Sequence, residues 1–217
     1  MYDVLARYAP ELGRQFHDKG LGPYGMVPFG HSSPVFPGAK RERGRYAAGG
    51  HGVVEFGSPL PEVVEALGRG FAAREVIDWG GVALRLTGIE VVSPPDCSSG
   101  RIRLRTETPV LVKGSKHLPA EGERISREGW LMPRSPLWAQ FFRGNLARKA
   151  RTLGLDDSVE LESVLWVGAQ RSFRVGNGAK PGAPVEVEIS GAPETLRALW
   201  SWGLGQANAA GFGWVRS

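Results

Sequence analysis

The chain has 217 residues, 41% of them hydrophobic and 23% charged, which is the composition of one large or two small globular domains and contains no apolar run near the roughly 18 residues a membrane-spanning helix needs. A single cysteine, Cys97, excludes an internal disulfide and fits a reducing cytoplasm, and Met1 leads into Tyr-Asp-Val-Leu-Ala-Arg without the basic-then-apolar order of a secretory signal. The net charge of +5 favours a polyanionic partner.

In chain order, Leu5, Tyr8, Leu12 and Phe16 recur at helical spacing, and Pro10 divides residues 2–17 into two short helices, opening the second. The run Gly20–Gly25 ends them. Residues 26–58 are rich in glycine and proline, with β-leaning islands at Arg45–Tyr46 and Gly52–Phe56. A helix is predicted over 60–71 and a strand over 82–92, and Ser93-Pro-Pro-Asp-Cys-Ser-Ser-Gly100 is turn chemistry that reads as a linker.

Residues 101–112 then alternate like a half-buried strand. A helix is predicted over 136–153, with Leu137, Phe141, Leu146 and Ala150 facing inward. Strands over 159–175 and 184–189, a helix over 193–202, a glycine-rich loop and a closing strand complete the chain. The order β-α-β-β-α-β is that of the ferredoxin-like unit. The first half reads α-β-β-α-β, the same unit without its first strand. The fold class is therefore α+β: tandem ferredoxin-like (RRM-like) halves, 1–95 and 96–217. The absent strand would sit at the centre of the first sheet, which leaves an edge exposed and implies a chain that begins at an internal start.

The glycine-rich loop places Gly203, Gly205, Gly211 and Gly213 within eleven positions. Glycines in such number permit tight turns or let an anion approach the backbone N–H groups. A dinucleotide fingerprint is excluded, because Asn208 stands where the third glycine belongs and no βαβ unit follows; a phosphate-binding G-K-[ST] is absent too. Arg101, Arg103 and Arg105 alternate along one strand and so project from one face, which is wet or bound to phosphate. Arg143, Arg148, Lys149 and Arg151 place four cations within nine residues of one helix. Trp138, Trp166, Trp200 and Trp202 read as core. No H-x-x-x-H, C-x-x-C or acidic cluster has metal-ligand spacing, so neither metal nor cofactor is expected. Cys97 reads as inert, and His51 and His117 as exposed loop residues.

Two halves of this kind ending in Gly203-Leu-Gly205-Gln-Ala-Asn208-Ala-Ala-Gly211-Phe-Gly213 resemble the RAMP superfamily of CRISPR-associated proteins, and within it the Cas-six endoribonuclease family. Thr108-Pro109-Val110 resembles the family's strand at the start of its second half. Leu12-Gly-Arg-Gln-Phe16-His17 resembles the helix end that carries the family's histidine. The resemblance implies His17 as general acid or base with Tyr2 assisting, and cleavage of CRISPR precursor RNA within its repeats by 2′-OH attack without metal, giving a 2′,3′-cyclic phosphate and a 5′-OH. Tyr2 and His17 lie about four helical turns apart, so they meet only if the break at Pro10 folds the segment back. His31 is a further candidate for the same cleft. A lysine of the family falls near Gly22 here, with Lys19 the nearest substitute. The basic helix, the arginine strand and the four glycines are expected to hold RNA phosphates. Repeat RNA is the expected partner, with effector-complex subunits and a second copy of the chain as further ones, and no membrane. The alternative is a non-catalytic RNA-binding subunit of such a complex; a generic RRM module lacks its aromatic strand motif here.

Overall fold

A computed structural model describes residues 1–39, 41–42, 45–46, 50–79, 81–114, 129–175 and 178–216. The chain opens with α1 (Tyr2–Tyr8) and α2 (Pro10–Asp18), broken at Ala9, whose φ of −148° and ψ of 69° lie outside the helical region. Pro10 cannot donate a backbone hydrogen bond and so starts a new helix rather than continuing the old one. The two helices then fold back on each other. Gly13 makes this possible, since a Cβ there would lie 2.8 Å from the Ala6 backbone nitrogen.

Short strands follow: β1 (Gly30–His31), the pair β2 (Arg41–Glu42) and β3 (Arg45–Tyr46), and β4 (Phe56–Gly57), which runs antiparallel to β1. The ladder between β1 and β4 continues through reciprocal backbone bonds between Val35 and Val53. Helix α3 (Pro61–Ala72) packs Val63, Leu67 and Phe71 against Val4, Leu5, Phe16 and Phe29, forming the core of the first half. A hairpin of β5 (Val76–Asp78) and β6 (Ala83–Arg85) comes next. The strand expected over 82–92 is thus limited to three residues. Residues 86–92 are assigned to no strand, and Val91 is 91% exposed.

The second half begins with β7 (Arg101–Arg105), shorter than the expected 101–112 because Pro109 lacks the N–H a ladder needs. Beyond it, β8 (Val112–Lys113) pairs with β9 (Trp130–Leu131). Helix α4 (Pro136–Thr152) is capped by the Ser135 hydroxyl, which accepts from the Trp138 N–H. Its inward residues are Trp138, Phe142, Leu146 and Ala150, so the buried stripe lies one position on from the expected Leu137 and Phe141, which are partly buried. Residues 159–175 are two strands rather than one. β10 (Glu160–Val167) belongs to the main sheet, whereas β11 (Arg171–Val175) forms a separate hairpin with β12 (Gly178–Gly182). The turn is set at Gly168, where a Cβ would meet the Trp166 indole.

β13 (Val185–Ser190) returns to the sheet and α5 (Pro193–Trp202) closes over it. The sheet order is β10-β13-β7, antiparallel throughout, and Val215 bridges Thr106 so that the closing segment lies on the far side of β7. This is the ferredoxin-like arrangement, with the first strand in the interior. Leu104, Val187 and Ile189 point to the helices, into a core shared with Trp138, Phe142, Leu196 and Leu199. Buried Cys97 joins the same core, and burial raises its thiol pKa, consistent with an inert side chain.

The halves interlock through two indoles. Trp202 Nε1 donates to the Val27 carbonyl and Trp214 Nε1 to the Glu55 carboxylate, each at 2.8 Å. Gly213 is the tightest point of the closing loop. Its φ is +63°, and a Cβ there would fall on the Leu204 carbonyl oxygen. Gly213→Ala is expected to lower stability by about 2–4 kcal/mol in urea unfolding. Gly68→Ala, in α3 where an added Cβ meets nothing within 4 Å, is expected to raise it by about 0.5–1 kcal/mol.

Candidate active site

The fold-back at Pro10 brings Tyr2 and His17 together. Their ring centroids lie 6.1 Å apart, edge to face, and Tyr2 also packs edge-on against the buried Phe29 at 5.3 Å. His17 occupies the last turn of α2, where a cation is favourable to the helix dipole. Its side chain is 77% exposed, and Nδ1 lies 3.1 Å from the Asp18 carboxylate. An Nδ1–H donated to Asp18 leaves Nε2 with its lone pair facing outward, which is the state of a general base. Tyr2 is half-buried, and burial raises its hydroxyl pKa above the ordinary value, so at neutral pH it is a protonated donor. Lys19, the exposed C-cap residue of α2, follows next in sequence, while Gly22 takes up a left-handed turn with φ +64°.

His31 serves a different purpose. It is partly buried, edge-on to Trp79 at 5.2 Å, with Nδ1 2.8 Å from the Ser32 carbonyl. The ring also hydrogen-bonds to the Ala209 backbone, and a Cβ on Gly211 would lie 2.9 Å from its Cε1. It is a wedge between the first half and the glycine-rich loop.

The glycine loop is not a phosphate cradle. The N–H groups of Gly203, Gly211 and Gly213 donate to the carbonyls of Leu199, Asn208 and Pro109 respectively, and Gly205 is buried with its backbone against the Leu111 carbonyl. The glycines are there for close backbone approach: Gly203, Gly205, Gly211 and Gly213 all have φ between +63° and +91°. Asn208 organises the loop. Its amide donates to the Leu204 and Phe212 carbonyls, and its Oδ1 accepts from Lys149 Nζ at 2.7 Å. The only sequence signal for this was an asparagine standing in place of a glycine, a residue able to offer two donors and an acceptor.

Lys149 is therefore not an RNA-facing cation. It is 2% exposed, donates also to the Gly203 carbonyl at 2.6 Å, and lies 4.6 Å over the Trp202 ring. Burial holds its pKa well below the ordinary lysine value. Helical spacing explains the error, because Lys149 falls on the inward stripe with Leu146 and Ala150, away from Arg143, Arg148 and Arg151.

The remaining cations are at the surface, most of them paired. Arg143 meets Glu160 at 3.2 Å and Arg151 pairs with Asp157, while Arg148 has no ion pair among the described residues. On β7, Arg101 faces Glu162 at 3.5 Å, Arg103 pairs with Glu186, and Arg105 reaches Glu186 at 3.5 Å while stacking 4.4 Å over Trp166. Trp166, expected in the core, is 40% exposed. His51 is exposed. His117 lies outside the described residues. Among the described residues no three His, Cys, Asp or Glu side chains could hold a metal ion, and no helix is long and apolar enough to cross a membrane.

The family model described as CRISPR associated protein Cas6, C-terminal, matches residues 92–217, more than half of the chain. The chain belongs to the Cas6 family. Three solved structures share its tandem ferredoxin-like fold. A Cas6-related protein from Pyrococcus furiosus is 14% identical, with a TM-score of 0.71 over 99% of this chain and 86% of its own. An RAMP protein binding different RNA substrates is 16% identical, with a TM-score of 0.75 over 99% and 87%. A structure described as CRISPR associated protein Cas6 is 18% identical, with a TM-score of 0.72 over 100% and 87%. No curated protein matches the chain. The matched region of this Cas6-family chain contains the glycine loop and its Lys149 anchor, whereas Tyr2 and His17 lie outside it.

Two outcomes follow for this Cas6-family protein. Lys149→Met leaves the Gly203 and Asn208 acceptors without their donor, and is expected to cost about 1–3 kcal/mol in urea unfolding; Arg148→Ala, one position away, should change stability by less than about 0.5 kcal/mol. The His31 imidazole has its pKa lowered chiefly by burial, against the opposing effect of its backbone hydrogen bonds. Unfolding restores a value of about 6.5. Below that pH the unfolded chain takes up a proton the folded one resists, so stability falls as pH falls through the folded pKa. The unfolding midpoint of His31→Phe is expected to decline less steeply below about pH 6.5 than that of the parent.

Proposed function

We propose that this Cas6-family chain is a metal-independent endoribonuclease that cuts CRISPR precursor RNA within its repeats. The observation that carries the reading is the meeting of Tyr2 and His17 across the α1–α2 fold-back, 6.1 Å apart. In the proposed reaction His17 Nε2 takes the proton from the ribose 2′-OH, and the resulting oxygen attacks the adjacent phosphorus. The phosphorus–5′-oxygen bond breaks, leaving a 2′,3′-cyclic phosphate; the 5′-oxygen leaves as a hydroxyl by taking a proton from solvent water, and the His17 imidazolium returns its proton to solvent. The protonated Tyr2 hydroxyl supplies a donor to the developing negative charge. Residues 1–95 would carry the cutting site and residues 96–217 the larger RNA-binding share.

For RNA contact the reading relies on Arg143, Arg148 and Arg151 of α4 and on Arg101, Arg103 and Arg105 of β7, where Arg105 and Trp166 offer a stacked cation and indole at the surface. The Arg143–Glu160 and Arg151–Asp157 pairs are exposed, hence weak, and can exchange a carboxylate for a phosphate at little cost, whereas Arg103 and Arg105 share Glu186, whose side chain is only 10% exposed. The fold neighbour that binds different RNA substrates supports RNA as the ligand. Effector-complex subunits and a second copy of the chain are the further partners of this reading.

A non-catalytic RNA-binding subunit of a CRISPR effector complex is the second reading. It is favoured by Gly22, which stands where the family resemblance expects a lysine. Cleavage decides between the two. With its cognate repeat RNA in EDTA, the protein is expected to yield a 2′,3′-cyclic phosphate and a 5′-OH. His17→Ala should lower the rate by about 100-fold or more while RNA affinity stays within a few fold, and Tyr2→Phe should slow cleavage less. Binding without cleavage would support the subunit reading, and cleavage only with added divalent metal would sink the proposed chemistry.

A further inference from the structure

Strict alternation along β10 sends Val164 and Trp166 to the same side, into the core. The structure separates them. The ladder slips by one residue between Val164 and Trp166, so Leu165 is the extra residue and is 47% exposed. Trp166 thereby stands directly opposite Glu186, which in turn stands opposite Arg105. The three side chains form one row across the sheet, on the face away from the helices.

Within that row Arg105 passes over Glu186 and rests on the indole. Its Cζ lies 4.4 Å from the ring centroid, and Nη1 lies 3.5 Å from the Glu186 carboxylate. Glu186 is also held by Arg103, and its side chain is only 10% exposed, so it is an anchor rather than a mobile counterion. Gly168 keeps space for the indole, because a Cβ there would lie 2.6 Å from Cη2 of Trp166. One plane of the guanidinium is therefore covered by the indole, and its edge is fixed by a carboxylate. The Arg105 side chain remains 57% exposed, which leaves the other plane to solvent. The result is a flat cationic plate, ordered before any ligand arrives.

Nucleobases stack on guanidinium planes as they do on aromatic rings, and the cation adds its attraction for the π-face. A base inside a duplex has both faces covered by its neighbours, so only an unpaired base can reach such a plate. We propose that Arg105, backed by Trp166, takes one unpaired RNA base on its exposed plane and so selects single-stranded over paired RNA. The inference rests on RNA as the ligand of the second half and is independent of cleavage. Every base has a π-face, so the plate reads pairing state and not base identity. Arg103 and Arg101 follow on the same face at intervals of about 7 Å, in position to meet the phosphates beside that base.

A fluorescently labelled single-stranded RNA, and the same RNA annealed to its complement, are the probes; the full chain carries His17→Ala so that neither is cut. The single strand is expected to bind more tightly. Arg105→Lys keeps the charge but loses the plane, and should weaken single-strand binding about fivefold or more while duplex binding changes less than about twofold. Trp166→Leu, which keeps apolar cover without a ring, should behave alike. Arg101→Lys should alter neither by more than about twofold. Unfolding midpoints of all three should stay within about 2 °C of the parent, since these side chains lie at the surface. With 2-aminopurine placed at each position in turn, one position should be quenched most on binding, and Arg105→Lys should abolish that excess. Equal binding of Arg105→Lys and parent, an equal loss for both RNAs, or a parent that binds the duplex as tightly overturns the plate while RNA binding stands. A parent that binds neither RNA overturns this inference and the RNA reading together.

Discussion

A lysine side chain carried into the interior holds the second half's closing loop in shape. Lys149 Nζ reaches from the last turn of α4 to the Gly203 carbonyl and the Asn208 side chain, with the Trp202 ring beneath it. Removing an ammonium from water is costly, and two short hydrogen bonds with an aromatic face offset that cost. Asn208, fixed at one end, spends its two amide donors on the Leu204 and Phe212 carbonyls, so the loop is tied across its own width. Trp202 and Trp214, at the two ends of this loop, are the same residues that bond the first half. The loop's internal order thereby becomes the order of the interface between halves, and His31 is pinned under Gly211 as a result.

The surface charge tells a related story about pairing. The outer face of the sheet bears three arginines from β7; Glu186 and Glu188 of β13 stand in direct register opposite Arg105 and Arg103, and Ser190 opposite Arg101. Cross-strand pairs of opposite charge stabilise the sheet modestly and leave the face near neutral. A polyanion approaching this face meets arginines already held extended by their partners, which lowers the entropy cost of binding while asking a carboxylate to yield. Arg148 differs in having no such competitor among the described residues.

Much of the helical architecture was legible from prolines alone. Pro10, Pro61, Pro136 and Pro193 each open a helix within a residue of the expected start, because a missing N–H costs nothing where no acceptor precedes it. The strands were less legible. Residues 101–112, 159–175 and 82–92 all alternate or carry β-branched residues, yet each is shorter than its pattern, since pairing depends on what lies alongside and not on the segment itself.

For the site, the sequence by itself determined the residue types: a histidine at a helix end, a tyrosine fifteen positions earlier, a proline between them, and cations grouped along α4 and β7. Only the tertiary structure decided which of them meet. Tyr2 reaches His17 because Gly13 admits the Ala6 backbone, a close approach with no local signature. Lys149 turns inward while Arg148 beside it stays nearer the surface, because one step along a helix rotates a side chain by about 100° and the core lies on one side only. The four glycines, which alone read equally well as an anion cradle or as tight packing, became packing once the Leu199, Asn208 and Pro109 carbonyls were in place to take the N–H groups of Gly203, Gly211 and Gly213, with Gly205 buried beside the Leu111 carbonyl.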